Sequence, residues 1–345
     1  MVQSADTEAR FASFVATLGR GPGRSRALTR EEARDAFGMV LRGEADPHQI
    51  GAFLMLLRFR GEDAEEITGL VQAARTHARL GQASPNVELD WPSYGAGRTR
   101  GAPWFLLAAL ALANSGTTIL MHGSNDFSSG ISVADGLHAL GLRPAAAMAT
   151  AADDLRRDRF AYLPLHAMAP AMDRLLEMRR LFGLRSPVNT VARLLNPANA
   201  PFGVDGVFHP PYIDVHLGVA ERMGRSRLLV LKGGGGEAER VPLKAATAAL
   251  WDRRLGREDV ALPAVAGLPA HPTGEDTPTL LAAVWRGEAT PQTPLATIQA
   301  TIALALLAMG RAADPAEAMA QAGAIWTARR RVFTSEAARP VDRTA

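Results

Sequence analysis

The feature that most constrains this chain is a change of hydrophobic period near Pro85. Upstream, apolar residues recur at helical spacing: Phe11, Phe14, Val15 and Leu18; then Ile50, Phe53, Leu54 and Leu57; then Ile67, Leu70 and Val71. Downstream, short apolar runs at 87–91, 117–121, 160–165, 202–207 and 227–231 read as strands. Helical stretches at 104–113, 133–140 and 169–182 separate them, and helices over 295–309 and 315–331 close the chain. Strands that alternate with helices imply a largely parallel sheet, because each parallel return needs a crossover. Sites in such sheets lie beyond the strand C-termini.

The expected fold class is therefore α/β: a small all-helical domain plus a large α/β domain with a mainly parallel central sheet. The helical domain is expected over 1–83, joined by helices around 169–195. The α/β domain is expected over 84–168 and 196–345. Local signals agree. Thr29 with Glu32 three residues later forms a capping box, Asp46-Pro47 opens a helix, and another begins near Asp63. Gly43 and Gly141 end helices, and 19–26 is too rich in Gly and Pro for regular structure.

Composition excludes several classes. Cysteine is absent, so there is no disulfide framework, thiol nucleophile or thiolate metal site. That absence fits a reducing, cytoplasmic compartment. Residues 1–10 are polar and mixed in charge, unlike a signal peptide, and the apolar runs at 105–113 and 302–309 are short for a bilayer, so no membrane association is expected. The net charge is only +3, and Lys232 and Lys244 are the only lysines. Arginine does not titrate until very alkaline pH, so a small arginine excess gives a high isoelectric point. Where the arginines cluster matters more.

The motifs carry a resemblance. The stretch Gly51 to Glu62, followed by Glu65-Glu66-Ile67-Thr68-Gly69-Leu70, is similar to the N-terminal helices of the anthranilate phosphoribosyltransferases. These belong to glycosyltransferase family 3, with the pyrimidine nucleoside phosphorylases. The likeness continues through His122-Gly123, Ser128-Ser129, Ala134-Asp135, Arg179 to Arg185 and Asn196-Pro197-Ala198. It implies the nucleoside phosphorylase/phosphoribosyltransferase fold and a site for phosphoribosyl pyrophosphate. In the family, a glycine turn and a helix start cradle phosphate through backbone N–H groups, and carboxylates hold Mg²⁺.

Set against that pattern, the turn Ser93-Tyr94-Gly95-Ala96-Gly97-Arg98 has arginine where the family has aspartate. The helix start Ala102-Pro103-Trp104-Phe105 lacks the family's Asn and hydroxyls, and Met121 stands in place of a lysine before His122. The acidic doublet aligns with Ala238-Glu239, leaving Glu239 as the metal-site remnant. No metal is therefore expected, except that Mg²⁺ belongs to the enzyme alternative. The phosphate or substrate candidates are Gly95, Gly97, Arg98, Arg100, His122, Gly123, Ser128, Ser129 and Arg179, the last matching the family's acceptor-facing arginine. No catalytic residue is assigned. His122 and Asp135 also have a structural reading, as side chains that fix the loop, with Gly123 and Gly130 giving it backbone freedom.

Ser-Tyr-Gly-x-Gly-Arg is also similar to a divergent, homodimeric branch of the family that binds nucleic acid without sequence preference. That likeness implies single-stranded DNA or RNA as partner, and a second copy of the chain. Candidate contacts are Arg98 and Arg100 on the turn, Arg20, Arg24 and Arg26 on a mobile loop, and Arg180 beside Arg179 and Arg185. Arginine forks bind phosphate bidentately, and Tyr94 or Trp91 could stack on a base. The likeness implies a dimer through the N-terminal helices, where Ala52, Phe53 and Leu56 suggest an apolar face that suits either a core or an interface. Nucleic-acid binding is the leading reading; the alternative is a Mg-dependent glycosyl- or phosphoribosyltransferase on an unidentified acceptor. Among weaker features, Lys232 with its four glycines reads as a flexible strand exit and His209-Pro210-Pro211 as a rigid turn. Trp326 with Arg329, Arg330 and Arg331 reads as a cationic helix end or a nucleic-acid contact.

Overall fold

The computed structural model describes residues 2–21, 23–82, 84–95, 101–124, 130–270 and 276–331. Four helices come first: α1 (Val2–Gly19), α2 (Arg30–Leu41), α3 (Pro47–Arg60) and α4 (Ala64–His77). Strands and helices then alternate: β1 (Leu89–Ser93), α5 (Trp104–Asn114), β2 (Ile119–Gly123), α6 (Val133–Ala139), α7 (Met148–Asp158) and β3 (Phe160–Pro164). Four short helices follow, α8 (Leu165–Met168), α9 (Pro170–Glu177), α10 (Arg179–Phe182) and α11 (Val188–Arg193). The remainder is β4 (Phe202–Val207), α12 (Tyr212–Arg222), β5 (Arg227–Lys232), β6 (Ala246–Asp252), β7 (Gly256–Leu262), α13 (Pro278–Arg286), α14 (Gln292–Met309) and α15 (Pro315–Ala328).

The sheet has seven strands in the order β3-β2-β1-β4-β5-β6-β7. The first five are parallel, and β6 and β7 add an antiparallel hairpin at one edge. The hairpin escaped the sequence reading because β6 begins Ala-Thr-Ala-Ala and β7 carries Arg257, Glu258 and Asp259, the charge pattern of an edge strand. Helices α7 and α13 were also not anticipated. The single helix expected over 169–182 is broken near Met178 and ends at Gly183, whose φ of 65° is left-handed.

Capping follows the sequence. Thr29 with Glu32, and Asp63 with Glu66, both form reciprocal capping boxes, and Asp46 accepts from His48 N at 2.7 Å. One apolar cluster joins α1–α4 to α9 and α11 through Phe37, Phe53, Leu70, Met172 and Val191. A second packs α5, α13, α14 and α15 on the other side of the sheet. By length and composition α14 could cross a membrane, longer than the run at 302–309 suggested, but 78% of it is buried in this core. Phe53, whose apolar face suited either a core or an interface, lies in the core and packs edge-on against Phe11 with ring centroids 5.4 Å apart.

Candidate anion cleft

Beyond the C-terminal end of β4, the chain from Val207 to His209 meets the end of α3 and helices α11 and α12 around a cleft. Three guanidiniums line it: Arg58 from α3, Arg185 from the turn before α11, and Arg193 from the end of α11. Each is held differently. Arg58 Nη1 donates to Tyr212 Oη at 2.8 Å, and Tyr212 Oη donates to Glu62 Oε1 at 3.1 Å. Burial and the Glu62 charge push the Tyr212 phenol up to about 12, while burial raises Glu62 against the pull of Tyr212 and Arg58. Arg193 is buried, donating to Asn189 O at 3.1 Å and Tyr94 O at 2.8 Å.

Arg185 lies over the Phe208 ring at 5.3 Å. Burial, together with the charges of Arg193, Arg179 and Arg58, lowers its pKa to about 10. Three further guanidiniums thus act on Arg185, and two of them, Arg58 and Arg193, line the cleft with it, an arrangement that favours an anion there. Asn189 also lines the cleft; its Nδ2 donates to Ser186 O at 3.2 Å, and its buried amide oxygen has no partner among the described residues. His216 also lines the cleft, and its Nδ1 lies 2.8 Å from Asp205 Oδ2, so a buried carboxylate fixes the ring. The cleft is shallow and open to solvent, with a volume of about 50 Å³.

The sequence candidates fall in several places. Gly97, Arg98, Arg100, Ser128 and Ser129 lie outside the described residues. Gly95 follows β1, and Gly123 ends β2. Gly123 is required for space and not for backbone freedom: a Cβ there would stand 1.8 Å from Ser93 O. His122 is fully buried, with Nδ1 2.9 Å from Tyr94 Oη and Nε2 3.3 Å from Asp90 Oδ1. Asp135 is spent on the capping box of α6, accepting from Ser132 N at 2.9 Å. Arg179 begins α10 and acts on Arg185 by charge, while Arg180 beside it is exposed.

Several expectations need correction. Tyr94 and Trp91 are buried, so neither can stack on a base. Arg20 and Arg24 are exposed, but Arg26 pairs with both oxygens of Glu32 at 2.6 and 2.7 Å, so its charge is largely used. Their loop is also tied down by main-chain bonds, among them Arg26 N to Thr17 O at 3.2 Å. The glycines after Lys232 form a packed 3₁₀ turn instead of a flexible exit; a Cβ on Gly233 would stand 1.7 Å from Glu237 O. Arg329 is buried, stacks on Trp326 at 3.5 Å and donates to Trp285 O at 2.8 Å, so it staples α15 to α13 and is closed to nucleic acid. The sequence reading missed Arg58, Arg193, Asn189 and His216, because only the fold brings them together.

The start of α5 is occupied from within the chain. Ala102 N donates to Asp276 Oδ2 at 2.7 Å, and Phe105 N donates to Glu239 Oε2 at 3.0 Å. Carboxylates of the protein thus sit where a helix N-terminus would receive an anion. Among the described residues, no three His, Cys, Asp or Glu side chains gather in a way that could hold a metal ion.

Residues 12–78 match the glycosyl transferase family, helical bundle domain, and residues 105–327 match the glycosyl transferase family, a/b domain. The chain is 32% identical over 305 residues to the anthranilate phosphoribosyltransferase of Moorella thermoacetica, covering 86% of this chain and 88% of the relative. It is 31% identical to that of Methylobacterium nodulans over 90% of this chain and 93% of the relative. Among solved structures, the fold is similar to anthranilate phosphoribosyltransferase from Thermus thermophilus, with a TM-score of 0.73 and 23% identity over 92% of this chain and 94% of that one. It is also similar to the Saccharomyces cerevisiae enzyme in complex with PRPP and Mg, with a TM-score of 0.74 and 18% identity over 93% and 94% of the two chains.

Proposed function

The chain belongs to the glycosyl transferase family defined by these two domains, and on that premise we propose that it transfers a phosphoribosyl or related glycosyl group to an anionic acceptor. The observation that carries this is the guanidinium cluster of Arg58, Arg185 and Arg193 that lines the cleft. Guanidinium forks hold a carboxylate or phosphate in a fixed orientation. In the transfer, the bond from the anomeric carbon to the leaving group breaks, and the leaving group keeps the electron pair. A bond from the acceptor forms at that carbon, and the acceptor loses a proton. We assign the proton to His216, which lines the cleft and is oriented by Asp205.

One solved relative carries PRPP and Mg. Magnesium would neutralise a departing pyrophosphate, and Glu239, one oxygen of which accepts from Phe105 N, is the carboxylate left at the doublet position to help hold it. No step here is routed through a metal. The test is a thermal-shift series with phosphoribosyl pyrophosphate, with Mg²⁺ and separately with a chelator, beside an assay of pyrophosphate release. A ligand that binds only the native state raises its melting temperature. No shift at millimolar ligand in either arm would remove the transferase reading.

A second reading, non-specific nucleic-acid binding, is favoured by a different residue. Phe59 is 90% exposed at the end of α3, between Arg58 and Arg60, which is the interleaving of aromatic and cation that a single strand uses. Arg20, Arg24 and Arg180 would add phosphate contacts. Titration of single-stranded DNA across a salt series tests it, because neutralised phosphates give a steep salt slope. A homodimer belongs to the same proposal, with the exposed Leu181 and Leu184 as its apolar face. Sedimentation equilibrium of wild type and Leu181→Glu decides it: a dimer that survives the substitution removes this face.

A further inference from the structure

At the opposite, N-terminal end of the sheet lies a second cavity of about 320 Å³, far roomier than the cleft. It opens between α4, the segment 194–201, the end of α12 and the start of β5. Its wall is part apolar, with the half-buried Pro201 and Met223 offering surface and Val219 and Leu228 packed behind. The polar part includes two guanidiniums, Arg75 and Arg225, and the carboxamides of Asn196 and Asn199.

Arg225 is built into the wall. Its side chain is 6% exposed, and Nη2 donates to Asp90 Oδ2 at 3.0 Å and Phe202 O at 2.8 Å. Its Nε is buried and has no hydrogen-bond partner among the described residues. Gly203 makes room for this group, since a Cβ there would stand 2.3 Å from Nη2. Arg75 is anchored to Leu195 O, Asn196 O and Asn199 Oδ1, and it pins a turn in which Asn196 and Asn199 are left-handed. Burial lowers the Arg75 pKa; Asp90 opposes that shift and Arg225 adds to it. Asp90 also faces His122, so one carboxylate is shared by two arginines and an imidazole. The cavity therefore sets two guanidiniums beside a partly apolar wall.

We propose that this cavity binds a small monoanion with an apolar body, such as a short-chain carboxylate, its charged end between Arg75 and Arg225 and its body against Pro201 and Met223. The charge difference between carboxylate and alcohol isolates the arginines. Calorimetric titration of the full chain with hexanoate, hexanol and inorganic phosphate tests the site. Hexanoate is expected to bind one to one and at least about tenfold tighter than hexanol, and an equal concentration of phosphate is expected not to displace it. Met223→Trp, a half-buried rim position, fills the space while leaving the wall's polar bonds in place, and is expected to weaken hexanoate at least about tenfold. The hexanol comparison needs no variant, so it decides even where Met223→Trp misfolds. Arg185→Met, in the other cleft, is expected to leave hexanoate binding unchanged, which separates the two sites. No binding at millimolar hexanoate, equal binding of hexanol, displacement by phosphate, or full binding by folded Met223→Trp would each overturn the assignment.

Discussion

Arg193 reaches from the end of α11 to the end of β1, where its Nη2 donates to the main-chain oxygen of Tyr94 at 2.8 Å. The same guanidinium lines the cleft, so one side chain both presents charge to a ligand and fixes the start of the turn at Gly95. Arg193→Met leaves the Tyr94 oxygen without this donor. An unsatisfied buried group costs about 1–3 kcal/mol, so urea unfolding is expected to show a loss of that size. Unchanged stability would mean that the bond does not hold the turn.

Arg185 lies over the Phe208 ring at the cleft, and burial together with the charges of Arg193, Arg179 and Arg58 lowers its pKa to about 10. Arg185→Met is expected to abolish most of the stabilisation by pyrophosphate. Scanning calorimetry at matched ionic strength checks it, because general screening would act equally on chloride and pyrophosphate. A folded variant that still responds fully to pyrophosphate would refute the cluster as an anion site.

His216 has no role in binding an anion if its task is the acceptor's proton. His216→Asn is expected to lower turnover by about 10²–10⁴-fold, the usual contribution of a general base, with the pyrophosphate shift in melting temperature retained. The Asp205 partner makes Asp205→Asn informative as well: it is expected to reduce turnover less than the histidine substitution and to alter the pH–rate profile. An unchanged turnover in His216→Asn would reassign the base.

The sequence announced local features well and the site poorly, for physical reasons. Helices with a side-chain cap, such as α2 at Thr29 and α4 at Asp63, were placed to within a residue or two at their starts because their caps are short-range chemistry. Strands buried on both faces, such as Leu228 to Leu231, stood out as apolar runs. The edge hairpin did not, because an edge strand keeps its charges. The cleft was hidden because Arg58, Arg185 and His216 come from three distant stretches. Arg329 misled for the converse reason: a cationic helix end looks solvated until the fold folds it onto Trp326.

Asp90 links stability to pH. Burial alone would raise its carboxyl, but Arg225 and His122 outweigh that and hold it below its ordinary value of 3.8. A carboxyl depressed in the folded state contributes stability that is complete above the ordinary value and is lost as pH falls below it. Acid unfolding is therefore expected to steepen below about pH 4 in the wild type and to lose that component in Asp90→Asn. At neutral pH the same substitution strands the Arg225 charge and is expected to cost about 3–5 kcal/mol, much of it restored in Asp90→Leu with Arg225→Met. Equal stability of the single and double variants would show that the pair is not coupled.

Phe59 separates the two functional readings. Its ring is almost wholly exposed, so Phe59→Ala is expected to change folding stability by no more than about 0.5 kcal/mol. Stacking on a base is worth about 1–3 kcal/mol, so the nucleic-acid reading expects single-stranded DNA affinity to fall by roughly 5- to 150-fold. The salt slope should stay the same, because a phenyl ring releases no counterions. Arg58→Met is expected to do the reverse, lowering the slope by about one phosphate as well as the affinity. The transferase reading expects neither variant to show an affinity change for DNA beyond general electrostatics, and expects pyrophosphate binding to survive Phe59→Ala. Wild-type protein that fails to bind DNA at low salt, yet shifts with phosphoribosyl pyrophosphate, leaves the exposed ring to the surface and the cleft to catalysis.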